Sequence, residues 1–250
     1  LSPGTEWRAT AAAPVILAEP DYPFWGFGEV LVTLAMFIPA LGAGAWLVQI
    51  VAMKYGLDPK LGILELLAQS IAYLMLFAVM AAMFARHRRP LLPSLAWHKC
   101  TFQLRTLILL GLGLAVTTVV LGNLIRIPNV QTQFDKLLVD VPSRIAISLF
   151  GVTLGPIVEE LIFRGFLQPV AVEAMGVLLG ILLTSVLFGA MHLMQNDFIW
   201  QSGVLITLVG CVLGLVRHVT GSTRASALTH VAYNSIPFLI LLFAGPPNSK

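Results

Sequence analysis

Seven apolar runs separated by short polar stretches set the rhythm of the chain, near residues 27 to 53, 63 to 85, 106 to 125, 145 to 170, 176 to 194, 203 to 217 and 225 to 244. At 1.5 Å of helical rise per residue, most are long enough to cross a hydrocarbon core of ~30 Å. None alternates with the period of two that marks an outer-membrane strand. The spacings Gly176/Gly180 and Gly210/Gly214 are those that let helix backbones approach closely. The pattern predicts an all-α fold, a polytopic transmembrane helix bundle of about seven spans. The range is six to eight, because the sixth run is short and residues 126–143 have room for an interfacial or re-entrant helix.

Composition agrees with the pattern. Hydrophobic residues make up 58% of the 250 residues and charged residues 11%, far below the roughly 25% charge of soluble domains. No stretch between the runs is long enough for a soluble domain, so residues 26–250 read as a single transmembrane domain preceded by an N-terminal arm, 1–25. That arm lacks the basic-then-apolar order of a cleavable signal peptide. Cys100 and Cys211 are too few and too far apart for a disulfide framework or a CxxC metal site.

The charge that remains is informative about orientation. Arg86, Arg88, Arg89, Lys99 and Arg105 place five positive charges and no acid between the second and third spans. The positive-inside rule puts this loop, 86–105, in the cytoplasm of a multi-pass protein of the cell membrane. The basic pI near 9.1 then reflects span ends beside an anionic leaflet, and nothing in the pattern points to nucleic acid.

Against this apolar background, Glu159, Glu160 and Arg164 stand inside the fourth run. A charge at the centre of a membrane helix costs about 3 kcal/mol or more, which marks a functional site by default. On a helix Glu160 and Arg164 share a face, whereas Glu159 is turned by about 100°. The pair keeps Glu160 ionised in a low-dielectric setting. Glu159 has no counter-charge in its own helix and suits a general base working on water. The competing reading is that both acids only tie helices together.

Two further spans carry matching chemistry. The fifth ends in Phe188-Gly189-Ala190-Met191-His192, and a turn at Glu173-Ala174-Met175-Gly176 puts Glu159 and His192 at equal depth on antiparallel helices. The last carries His230 and Asn234 on one face. An imidazole and a carboxamide side by side are the equipment of an oxyanion hole, although they serve equally as bridges between helices. Upright helices would leave His230 ~10 Å from the level of His192, a mismatch that tilt or a broken helix must absorb. Gly155-Pro156 is a candidate kink just before the acidic pair.

Taken in order, EExxxR at Glu159/Glu160/Arg164, FxxxH at Phe188/His192 and HxxxN at His230/Asn234 resemble the CPBP family, also called ABI proteins. This family comprises the type II CAAX prenyl proteases and bacteriocin-processing or immunity proteins. The resemblance spans about residues 143–243, which would hold the catalytic core. It implies an intramembrane glutamic endopeptidase in which Glu159 and His192 polarise the attacking water and His230 and Asn234 hold the oxyanion. Glu160, Arg164 and Phe188 would organise the site. It implies no cofactor and no metal. The expected partners are the lipid bilayer and a peptide or protein substrate, lipidated or membrane-anchored ones included.

Two alternatives remain open at this level. A non-catalytic member of the same family would use the polar cluster for binding or immunity. A zinc metalloprotease could draw ligands from the same Glu, His and Asn side chains, although no HExxH motif occurs.

Overall fold

The computed structural model describes residues 22–244 apart from Pro59, Asn129, Gln131 and Val139. Among these residues all regular structure is helical: α1 (Phe27–Tyr55), α2 (Gly62–Arg86), α3 (Leu91–Ser94), α4 (Leu104–Leu124), α5 (Gln133–Lys136), α6 (Val141–Val152), α7 (Leu154–Glu160), a π-helical turn (Leu161–Leu167), α8 (Gln168–Gln195), α9 (Trp200–Thr220) and α10 (Thr223–Ala244). Residues 1–21 of the expected arm lie outside the described residues.

Six helical stretches among the described residues are long and apolar enough to cross a membrane, so the chain is an integral multi-pass protein. The longest, Leu154–Gln195, has 42 residues but does not run straight. Gly176 takes φ 80° and ψ 168°, a conformation that glycine adopts without strain. Beyond it Gly180 lies against the backbone of Ala171 and Val172. The stretch therefore folds back as two antiparallel limbs of roughly 33 and 28 Å, and the bundle has seven membrane-length rods. The reversal occurs at Gly176 itself, so in the expected Gly176/Gly180 pair only Gly180 serves helix packing.

The fourth run departs from its expected form of one span over 145–170. α6 stops at Thr153, whose φ of −115° and ψ of −84° break the helix, and a new helix begins at Leu154. Pro156 accounts for the break: it has no N–H to bond the preceding turn, and it sits in the first turn of α7, where that N–H is dispensable. Asp140 caps α6, accepting from Ser143 N–H at 2.8 Å. The Ser143 hydroxyl and that backbone bond hold the Asp140 carboxyl below its ordinary range. The short α5 and the start of α6 occupy the room that 126–143 offered.

In a bilayer helices are held by close packing and internal hydrogen bonds rather than by hydrophobic exclusion. α1 packs on α2 through Ala40, Gly44, Val48 and Ala52 at intervals of four, with Gly44 against the Ala68 carbonyl. Outward-facing Leu, Ile, Val and Phe side chains cover the rest of the spans. The main core gathers Trp25, Leu76, Met80, Phe84, Phe166 and Phe188.

Candidate active site

The acidic turn is prepared by its backbone. Glu159 and Glu160 end α7, and the next seven residues form the π-helical turn. Such a turn widens the helix and loosens its hydrogen-bond ladder, and π-bulges recur at functional sites. Trp25 Nε1 donates to the Phe166 carbonyl there at 3.0 Å.

Glu160 and Arg164 form the expected pair, Oε1 to Nη1 at 3.1 Å, with both side chains buried. Arg164 Nη2 donates to the Gly210 carbonyl at 3.0 Å, and its guanidinium lies 4.5 Å from the centre of the Phe188 ring. One turn further, Gln168 Nε2 donates to the Gly214 carbonyl at 2.9 Å. The Gly210/Gly214 spacing thus serves more than close approach: two carbonyls a turn apart on α9 meet two donors a turn apart across the interface.

Glu159 points elsewhere. Its Oε1 lies 3.9 Å from His192 Nε2 and its Oε2 3.8 Å from His230 Nε2, and 20% of the side chain is exposed. These gaps exceed hydrogen-bond length and have the span that a bridging water or substrate group would fill. Both rings are anchored through the other nitrogen. His192 Nδ1 donates to the Phe188 carbonyl at 2.8 Å, and His230 Nδ1 donates to Glu160 Oε1 at 3.1 Å. With its proton held on Nδ1, a neutral ring presents the Nε2 lone pair towards Glu159.

Asn234 shares a face with His230 but has its own partner. Its Nδ2 donates to the Gly151 carbonyl of α6 at 2.7 Å. Of the two amide N–H groups one is thus engaged and one is left. Gly151 is needed at this crossing, because a Cβ there would run into the Phe238 ring of α10.

The expected depth mismatch is absorbed at the start of α10. Ser222 and Thr223 are fully buried. Thr223 donates through its backbone N–H to the Ala96 carbonyl at 3.0 Å and through Oγ1 to the Leu95 carbonyl at 2.6 Å. α10 therefore begins inside the bundle, roofed by residues 91–98, and His230 starts deep. The basic loop is accordingly not wholly solvated: Leu95 and Ala96 at its centre are buried.

A cavity of about 380 Å³ opens above Glu159 at the end of the bundle where α2 begins and the second limb of α8 ends. Its lining includes Glu65 and Gln69 of α2, Gln133 and Phe134 of α5, Glu159 and Asn234. The α2 residues are absent from the sequence reading. Their signal is present, since Glu65, Gln69 and Tyr73 recur at intervals of four in an otherwise apolar span. Gln69 Nε2 donates to the Tyr73 hydroxyl at 2.7 Å. The end of the arm is a second addition. Tyr22 Oη accepts from Arg217 Nη2 at 2.8 Å, and burial, partly offset by that guanidinium, raises its phenol above the ordinary range. Among the described residues no group of three or more His, Cys, Asp or Glu side chains is placed to hold a metal ion.

Residues 141–236 match a family model, Rce1-like, described as type II CAAX prenyl endopeptidase Rce1-like. No curated protein and no solved structure matches the chain. The matched segment starts at α6 and ends two residues past Asn234, so it contains the acidic turn, both histidines and Asn234.

Proposed function

We propose, on the premise that residues 141–236 belong to the Rce1-like family of type II CAAX prenyl endopeptidases, that this protein hydrolyses a peptide bond of a membrane-associated substrate with a water activated by Glu159. Substrate would enter the cavity and lay its carbonyl carbon above Glu159. The water, held by Glu159 and His192, gives a proton to the Glu159 carboxylate as its oxygen bonds to the carbon. The carbonyl oxygen becomes an oxyanion. Asn234 offers its second N–H to that oxygen, and His230 offers Nε2–H when its ring carries both protons, a state for which Glu160 is the counter-charge. Return of the proton from Glu159 to the leaving nitrogen breaks the C–N bond and restores the carboxylate.

The observation that carries this reading is the division of labour between adjacent acids. Glu160 is buried and bound to Arg164 and His230, whereas Glu159 is exposed to a cavity with one imidazole Nε2 facing each oxygen. A purely structural pair would bury and bond both acids.

The test is a mass-spectrometric comparison of membrane and secreted peptides from cells carrying wild-type protein or Glu159→Ala. Peptides that change length only with the wild type would identify substrate and cut site together. Identical peptide sets would refute the hydrolytic reading.

A further inference from the structure

The charges on the cavity wall suggest what it accepts, an inference that rests on the hydrolytic reading for its place in catalysis but not for its test. Among the described residues the cavity lining has two acids, Glu65 and Glu159, and no Lys, Arg or His. The remaining polar side chains are neutral amides, Gln69, Gln133, Gln195 and Asn234, set among apolar walls. Glu65 is exposed, and among the described residues no ion pair involves it. An acid in the first turn of α2 gains from the helix dipole. That gain would be the same on any face of the helix, so it does not account for a carboxylate on the cavity side.

Spacing along α2 turns this into a subsite. Gln69 and Tyr73 follow Glu65 by one and two turns, about 6 and 12 Å of rise. Gln69, one turn from Glu65, lines the cavity together with Glu159. An extended peptide covers ~3.3 Å per residue, so a substrate side chain at Glu65 belongs to a residue about two to four positions from the scissile bond.

We propose that Glu65 is a specificity-determining residue: the cavity takes a peptide segment with a Lys or Arg two to four residues from the scissile bond and disfavours one that places a free terminal carboxylate there. A carboxylate beside Glu65 would meet a like charge, with no Lys or Arg among the described lining residues to offset it. A cation would meet Glu65 at the rim, where the low-dielectric walls strengthen the attraction.

The experiment measures binding apart from turnover. Fluorescein-labelled apolar decapeptides carrying one Lys or one Glu at successive positions, with free or amidated C-termini, are titrated by anisotropy against purified full-length protein in detergent, and hydrolysis is followed in parallel. Wild type should bind the best Lys peptides on the order of tenfold more tightly than their Glu counterparts, and amidation should strengthen binding. Glu65→Gln should level the two series and Glu65→Lys should reverse them, with the protein still folded and only the small drop in melting temperature that loss of the helix-dipole contact brings. Equal binding of the two series by wild type, or an unchanged order in Glu65→Lys, would overturn the proposal. Charge-ordered binding without any hydrolysis would leave it standing and refute the hydrolytic reading instead, whereas hydrolysis without charge order would do the reverse.

Discussion

Glu160 and His230, seventy positions apart, share a hydrogen bond of 3.1 Å in which the same Oε1 that faces Arg164 accepts from Nδ1. One buried oxygen thereby fixes the guanidinium and the imidazole at once. Glu160→Gln and Arg164→Ala should each lower activity and stability together, since each leaves a buried charge without its partner. Breaking such a pair typically costs about 3 to 5 kcal/mol. The check is cleavage and thermal melting of purified variants in detergent, with melting unchanged as the contrary outcome.

The crossing of α6 and α10 is a second point of leverage. Asn234→Ala should reduce kcat on the order of 10²-fold with little change in KM, as expected for a donor that acts mainly in the transition state. Gly151→Ala removes no hydrogen-bonding side chain, although Gly151 lines the cavity together with Asn234. Its Cβ would press on Phe238 and shift the carbonyl that holds Asn234, so it should lower kcat as well. Steady-state kinetics on both variants decide the matter, and a Gly151→Ala protein with full turnover would separate this crossing from catalysis.

Much of this arrangement is legible in the chain because membrane helices leave few places for charge. Glu159, Glu160 and Arg164 announce themselves by cost, and the equal depth of Glu159 and His192 follows from counting residues on either side of the turn. What escapes the reading is set by tertiary context. Gly155-Pro156 announces the break at Thr153, whereas the π-helical turn depends on backbone packing rather than on apolar period. The deep start of α10 depends on carbonyls of the 91–98 segment, and the polar row Glu65/Gln69/Tyr73 on α2 gains its meaning only once packing sets Glu65 and Gln69 in the wall of the cavity that holds Glu159.

Geometry and charge together make a prediction about orientation. Gly62 at the cavity end of α2 and Arg86 at its other end are separated by about 36 Å of helical rise, so the basic loop and the cavity mouth lie at opposite ends of the bundle. The positive-inside rule predicts a cytoplasmic loop, so a cysteine at exposed Lys99 should resist an impermeant thiol reagent in intact cells. One at exposed Lys136 on α5 should react. Both are placed in a background lacking Cys100 and Cys211, and the opposite labelling pattern would invert the topology.

The proposed chemistry activates water with a carboxylate and holds the oxyanion with side-chain donors, so it asks nothing of a cation. Activity should survive prolonged treatment with a strong zinc chelator and should not rise when zinc is restored. Reversible loss on chelation, with about one zinc per chain found by elemental analysis and absent from the His192→Ala or His230→Ala protein, would replace this account by a metal-dependent one.

The central claim is that Glu159 takes a proton from water. Glu159→Gln keeps the shape of the side chain and removes its basicity. It should therefore fold, insert and melt like the wild type yet lose at least 10²-fold in kcat, within the range that general-base catalysis contributes, while Glu160→Gln falls in both melting and activity. The measurement is the turnover of one peptide substrate by purified wild type and Glu159→Gln at matched, folded concentration. A rate in the variant equal to wild type would contradict the account.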